Sequence, residues 1–472
     1  MTEPDTSPPP PPAWSAWERV LFRYLFCHFA LYALPQPFVR FFTTAQSLAK
    51  DAGLDLEAEP WTWNAKVIAY AGRVDGWWQA LTTWLDRHEL LPFHVIHQQT
   101  GSGDTAHDWA QVSCIAAASL VLTLLWSLLP WPRGYPRLGR WLHLVARWWL
   151  AFWMLFYGGI KLYGNGQFGE PTLWMLTQEL GDKSPMGMVW TFFGANEAYE
   201  AFGGVGEVLG ALLLFHRRTA LLGCCVTAAV MTNVAAINWL YDVPVKLFST
   251  HLLLCAVLLL APWRSRLMAL FVRNTAFEPV DLRVVRSAWL AVPLCVFGTV
   301  WVAGALVATH RNGLASIDRF EARAKKPALF GMWAVETMTL DGVEVAANDP
   351  AHWNFLAFDR GMFAFVRTPG GMGDGFDVTA EDVAAGTITL KPRGAAAGEP
   401  FSWSFATGVK TVEEPDPEPK TPKDFAQKVA VERRTLVVRG QYKGKALELH
   451  AHEKLLRIHR GFHFVQELPY NR

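Results

Sequence analysis

Between Arg140 and Trp263 four apolar runs follow one another, and each carries ionisable or amide side chains inside it or at its ends. Arg147, Lys161, Glu200, Glu207, Asn233, Asn238, Asp242, Lys246 and His251 all lie there. A helix needs ~20 mostly apolar residues to cross a hydrocarbon core. Charged groups inside such a helix are costly, so they turn toward a bundle interior or a wet cavity. Together these constraints describe a polytopic membrane protein with a polar site among its helices.

Applied to the whole chain, the length rule gives about seven spans: Trp17 to Leu34, Trp109 to Leu129, Trp141 to Tyr163, Ala198 to Phe215, Ala220 to Tyr241, Leu247 to Trp263 and Ala288 to His310. Arg19, Arg23 and His28 interrupt the first of them. The 472-residue chain is 51% hydrophobic and 18% charged, which fits helices in lipid joined to soluble parts. Many of its 23 tryptophans stand beside the apolar runs, where interfacial anchors belong. A net charge of +1 gives no reason to expect a nucleic-acid partner. The six cysteines fall in apolar runs without a C-x-x-C, so neither a disulfide framework nor a metal site is expected. The chain has no two-His zinc motif, phosphate loop or G-x-S-x-G elbow.

Five regions follow. Residues 1–16, with the run Pro8 to Pro12, read as a disordered head without a cleavable signal. Residues 17–139 hold two spans and the Trp-rich stretch Trp61 to Leu90. That stretch suits a helix on the membrane surface or an amphipathic helix packed on the bundle. Residues 140–265 form a four-helix core, and 266–324 a basic connector, the last span and a linker. From residue 325 short alternating runs appear, at Gly331 to Leu340, Trp353 to Phe358, Met362 to Arg367, Thr387 to Leu390, Phe401 to Phe405, Thr435 to Val438, Ala446 to Ala451, Leu455 to Arg460 and Phe462 to Leu468. Asp341-Gly342, Asp359-Arg-Gly361 and Lys443-Gly444 separate strands as turns, and Glu413 to Lys423 reads as a Pro-rich loop. The fold expected for 325–472 is an antiparallel β-barrel or sandwich.

Placed by the ~1.5 Å rise per residue, Lys161, Glu200, Asn238, Asp242 and Lys246 fall near the outer membrane face. The loop with Asp104, His107 and Asp108 opens at that level, as does Asp182-Lys183-Ser184. These groups either converge on a shared pocket or are solvated separately at the interface. Asp104, Tyr157, Asn238, Asp242, Lys246 and His251 are the candidate substrate-binding residues. A single His on an apolar helix is more often a hydrogen-bonded core residue than a ligand. Glu207 and Arg147 lie deeper. Glu200, Gly203, Gly204, Glu207 and Gly210 share one helix face at steps of three and four, and the glycines admit a close neighbour. Glu207 requires a cation or a proton, and Arg147 is one candidate partner. Such a pair either fixes helix register or handles protons. Glu207, Lys161, Glu200 and Arg147 are the candidate catalytic residues.

The segments Tyr157-Gly-Gly-Ile-Lys161, Ser184-Pro-Met-Gly187, Trp190-Thr-Phe-Phe-Gly194, Glu207-x-x-Gly210, Arg217-Arg218-Thr219 and Asn238-x-x-Tyr241-Asp-Val-Pro-Val-Lys-Leu-Phe248 occur in this order. They resemble the DoxX-like membrane proteins, in a long bacterial version with flanking spans and a tail. The resemblance covers residues 140–265 and implies a four-helix membrane core. It also implies a link to thiosulfate:quinone oxidoreductase subunits and thiol or oxidative-stress complexes, but no catalytic residues. Gly331-Met-Trp333 resembles the opening of lipocalin-like barrels, which implies a Trp at the barrel base under an Arg such as Arg457 or Arg460. Arg460 to Arg472 is similar to the end of the long DoxX-like proteins.

The function expected is a quinone- or thiol-linked membrane redox component, with quinone as cofactor and a membrane redox partner. The alternative is a non-catalytic scaffold binding a lipid or a partner, and a remoter one is a carboxylase-like membrane enzyme. The arginines of three loops, Arg133 to Arg140, Arg217 to Arg218 and Arg264 to Arg286, fall on one side if there are seven spans. That side is then the cytoplasm, which places the amino terminus inside and the β domain outside a bacterial inner membrane. A tag after Arg472 is therefore expected to react with an impermeant reagent in intact spheroplasts. Labelling only after permeabilisation would rule out the seven-span arrangement.

Overall fold

The structure is a computed structural model. It describes residues 14–33, 61–95, 101–129, 134–163, 166–276, 287–394, 398–415 and 428–456, with scattered positions at 43–55 and 283–285. The Pro8 to Pro12 run, the loop beyond residue 415 as far as 427, and everything after residue 456 lie outside the described residues. So do the expected last strand, Phe462 to Leu468, nearly all of Leu455 to Arg460, and both Arg457 and Arg460. The chain divides into two compact units: Met1–Gln167 with Ala198–Ala315, and Phe168–Glu197 with Ser316–Arg472.

The first unit is helical. Its helices are α1 (Ala16–Ala33), α2 (Trp61–Arg87), α3 (Ala106–Ser127) and α4 (Pro136–Leu162). After the short helices α5 (Leu173–Thr177) and α6 (Pro185–Gly194) of the second unit come α7 (Glu197–Phe215), α8 (Ala220–Leu240), α9 (Lys246–Leu259) and α10 (Ala288–Ala324). Among the described residues five segments are long and apolar enough to cross a membrane: α3, α7, α8, Lys246–Arg273 and Trp289–Ala315. This is the composition of a multi-pass membrane protein.

α4 is the centre of this unit. Trp149 through Leu155 are all buried, so the helix is covered on every side rather than along one stripe. Lipid-facing helices show the reverse: on α3, Leu120, Val121, Leu124, Leu125 and Leu128 point outward. The inner face of α3 is a hydroxyl ladder. Ser119, Thr123 and Ser127 each donate to the carbonyl four residues earlier, at 2.6–2.7 Å. Ser127 also accepts from Arg23 at 2.7 Å, and Tyr135 accepts from Arg23 at 3.0 Å. These partners explain how α1 buries an arginine.

Two neighbouring glycines let other helices reach the α4 backbone. A Cβ on Gly158 would stand 2.7 Å from Glu207 Cβ and 2.8 Å from Gly204 O. A Cβ on Gly159 would collide with Thr309 of α10. Gly204 and Gly210 are close-contact positions as their spacing predicts, whereas Gly203 faces open space.

The second unit is a closed antiparallel barrel. Its strands are β1 (Gly331–Leu340), β2 (Val343–Glu344), β3 (Phe355–Asp359), β4 (Phe363–Thr368), β5 (Gly371–Asp382), β6 (Thr387–Pro392), β7 (Phe401–Pro415), β8 (Lys428–Tyr442) and β9 (Lys445–Lys454). Consecutive strands pair, β1 pairs with β9, and β2 pairs with β1 only, so eight strands form the ring. The hairpins turn where the sequence indicates: Asp341, Gly342, Lys443 and Gly444 all have positive φ. β5 has no counterpart among the runs read from the sequence, because its glycines and acids break the apolar alternation.

Large side chains fill the barrel, among them Trp333, Trp353, Trp403, Phe358 and Phe376. The opposite face of β1, β3 and β4 is buried as well. Met332, Phe355, Ala357 and Phe365 lie there against Leu173, with Trp174 packed beside them. Trp174 N–H donates to Asp359 at 3.0 Å, and Arg367 donates to Thr177 O at 2.7 Å and pairs with Glu179. Trp333 donates to Leu329 O at 2.9 Å. Among the described residues, Arg434 of β8 lies above its ring, at 5.1 Å. Arg434 is held there by Glu453 of β9 at 2.6 Å.

Substituting Gly159→Ala is expected to destabilise the helical unit by about 1–3 kcal/mol, the usual cost of overpacking. Thermal unfolding in detergent should show the loss. An unchanged midpoint would mean that α4 and α10 do not approach so closely.

Candidate functional site

At the α4–α7 crossing each glycine makes room for the other helix's charged residue. Gly158 lies against Glu207, and a Cβ on Gly204 would be 2.8 Å from Lys161 Cβ. The backbones therefore run close enough for Lys161 Nζ to pair with Glu207 Oε1. Both side chains are nearly shut off from solvent, at 10% and 4% exposure. The second carboxylate oxygen, Oε2, is buried without a hydrogen-bond donor. The site thus keeps one unused acceptor beside a buried ion pair, a capacity that a proton or a ligand donor can take up. Glu200, two turns earlier on α7, is buried and accepts from Gln167 N–H at 2.8 Å.

The expected partner for Glu207, Arg147, is elsewhere. Arg147 lies buried on α4 within electrostatic reach of His143, one turn away, and of Cys224 on α8. Depth along a helix predicted Arg147, but the glycine crossing selects Lys161, because it is Lys161 that meets α7.

Asp104, Asp242 and Lys246 form a second group. Asp104 accepts from Lys246 N–H at 2.7 Å and Leu247 N–H at 2.9 Å, so a residue of a distant loop caps α9. Gly103 N–H donates to Pro244 O at 2.8 Å and fixes that loop. Lys246 Nζ lies 2.7 Å from Asp242 and 3.7 Å from Asp104. Asp242 itself is exposed and has positive φ in the α8–α9 turn. Asn238 is buried one turn before it.

Aromatic rings pack on the same helices. Tyr157 packs on Trp153 and Phe248, with ring centres 6.0 and 5.9 Å apart. Tyr32 of α1 stacks on His251 at 3.8 Å and lies in the field of Asp104, Asp108 and Tyr157. His251, alone on its helix by sequence, meets His28 of α1. His28 and Tyr32 are the residues sequence reasoning missed as functional candidates. His28 registered only as an interruption of the first span, although a histidine inside an apolar run was itself the signal. Trp149, at 4% exposure, adds a buried indole N–H without an acceptor. Asp182, Lys183 and Ser184 belong to the other unit, where Ser184 caps α6 and Lys183 donates to Thr191.

The barrel unit carries its own concavity, a cavity of about 260 Å³ lined by Trp353, Thr368, Asp374, Tyr442, Lys443 and Lys445, among others. Tyr442 O–H donates to Asp374, and Lys443 Nζ is 2.8 Å from the same carboxylate. Burial pushes the Asp374 carboxyl up, but Lys443 and Tyr442 outweigh it and hold the group below its ordinary value. Burial, aided by the bond to Asp374, pushes Tyr442 up to about 12.

A relative of this chain is the uncharacterized protein YwoB of Bacillus subtilis (strain 168). It is 38% identical over 138 residues, which is 29% of this chain and 83% of the relative. No family model matches the chain, and no solved structure matches it.

Because the Asp374 carboxyl is held below its unfolded value of 3.8, its contribution to barrel stability is present above that pH and is lost as pH falls through the lowered value. Acid unfolding followed by circular dichroism should show this step in the wild type and not in Asp374→Asn. An identical acid profile in the variant would exclude it.

Proposed function

The chain belongs to the family of the Bacillus subtilis protein YwoB, and on the residues of its helical unit we propose that it is a DoxX-like, quinone-linked redox component of the bacterial inner membrane. Seven helices cross the bilayer in this reading, with α1 and α4 added to the five most apolar ones. The amino terminus is cytoplasmic and the β domain, a lipocalin-like barrel, is extracytoplasmic. The observation that carries the reading is the buried Lys161–Glu207 pair with its unused carboxylate oxygen. A charged pair inside membrane helices is costly, and a purely structural lock would satisfy both oxygens.

The wall beside Lys161 suits a quinone headgroup, a flat ring with two carbonyl oxygens: Tyr157 lies one turn before Lys161, and Tyr157, Trp153 and Phe248 offer flat apolar faces. The quinone, when bound, supplies two-electron chemistry. The chain's share is to orient the ring, exclude water through the α4 aromatics, and hold a proton at Glu207.

Purified protein in nanodiscs, given a short-chain ubiquinone with thiosulfate or a dithiol as donor, should reduce the quinone. Glu207→Gln should cut turnover by about 10²-fold or more, the scale of lost acid–base participation. The exchanged pair Lys161→Glu with Glu207→Lys should recover thermal stability but not turnover. Full turnover in a folded Glu207→Gln protein would end the redox reading.

The barrel cavity favours a second reading, a scaffold that binds a lipid or a partner. Copurified lipid without any quinone turnover would favour it.

A further inference from the structure

The imidazoles of His28 and His251 face each other through their Nε2 atoms, 3.3 Å apart. The ring planes are 4° from parallel and the ring centres are 5.5 Å apart. The nitrogens are much closer than the centres, so the rings meet end to end, as an N–H···N hydrogen bond requires. One of the two nitrogens must carry the hydrogen.

A backbone carbonyl decides which. His251 Nδ1 lies 2.7 Å from Leu247 O. A carbonyl oxygen can only accept, so Nδ1 of His251 carries a hydrogen. In the neutral ring Nε2 of His251 is then a bare lone pair. The hydrogen between the rings therefore belongs to His28 Nε2. That leaves His28 Nδ1 as a lone pair, and this atom is buried without a hydrogen-bond partner.

We propose that His28 and His251 form a proton-binding site that takes up one proton, at His28 Nδ1, and shares it between the two rings. When His28 becomes imidazolium its Nε2–H still points at His251 Nε2, and the proton can shift across that bond with no atom out of place. A second proton is excluded. It would have to enter at the facing nitrogen, and two N–H groups would then oppose each other across 3.3 Å. Nor does the path lead onward through His251, because its far nitrogen ends on the Leu247 carbonyl. The pair is thus a store rather than a wire.

Tyr32 lies face-on to His251, with centres 3.8 Å apart, and an aromatic face attracts a cation at that range. Tyr24 stacks on His28 from the same helix. The Asp104 and Asp108 carboxylates and the Tyr157 hydroxyl act on Tyr32 from the loop, α3 and α4. Lys246, one turn plus one residue before His251, is engaged by Asp242 and Asp104. This inference is independent of any quinone at Glu207.

Nitrogen NMR of histidine-labelled full-length protein in nanodiscs tests it, with His28→Gln and His251→Gln used for assignment. Above neutral pH, His251 should be the Nδ1–H tautomer and His28 the Nε2–H tautomer. As pH falls, the nitrogens of both rings should shift in a single step that corresponds to one proton per pair. Two separate steps, or a His28 that carries its hydrogen on Nδ1 at high pH, would overturn the proposal. Both readouts come from the wild-type protein, so they hold even if one variant fails to fold.

Discussion

The helical unit depends on how near two backbones can come. With any side chain at Gly158 or Gly204, α4 and α7 would be pushed apart, and Lys161 and Glu207 could not reach each other. Each charge would then be buried alone, which costs several kcal/mol. The contact is reciprocal, since each glycine yields space to the other helix's charge. Gly159, the next position along the helix, gives room to Thr309 of α10. From Trp149 to Leu155 α4 is consequently covered by protein on all sides, and the helix buries Arg147, Trp149 and Trp153.

The barrel solves a different problem with the same economy. Its interior is packed with tryptophan and phenylalanine, so it is a filled barrel with a surface concavity. Strand β3 is buried at every residue, which alternation alone cannot explain. Leu173 and Trp174 provide the reason: a short helix from far upstream covers the outer face of β1, β3 and β4. Asp359, Arg360 and Arg367 fasten that cover by bonding Trp174, Glu170 and Glu179.

The sequence revealed the helices, the hairpin turns and the change from helical to strand periodicity, because these rest on local patterns. Membrane length rules found the apolar helices, and Asp-Gly and Lys-Gly found the turns. Partners were less legible. Depth along a helix proposed Arg147 for Glu207, but lateral packing chose Lys161. His251 looked solitary because His28 is 223 positions away in the chain. Asp104 was placed at the right level, yet no spacing rule could show it capping α9. β5 was hidden by its glycines and acids, and no local pattern marked Arg434 of β8 as an arginine over Trp333.

The insertion between α4 and α7 belongs to the barrel unit although helices bracket it on both sides. The ribosome therefore makes the barrel's outer cover well before it makes any strand. Leu173 and Trp174 must wait, unmated, while α7 to α10 are threaded into the bilayer. A chain halted before β1 would display that apolar helix with nothing to receive it.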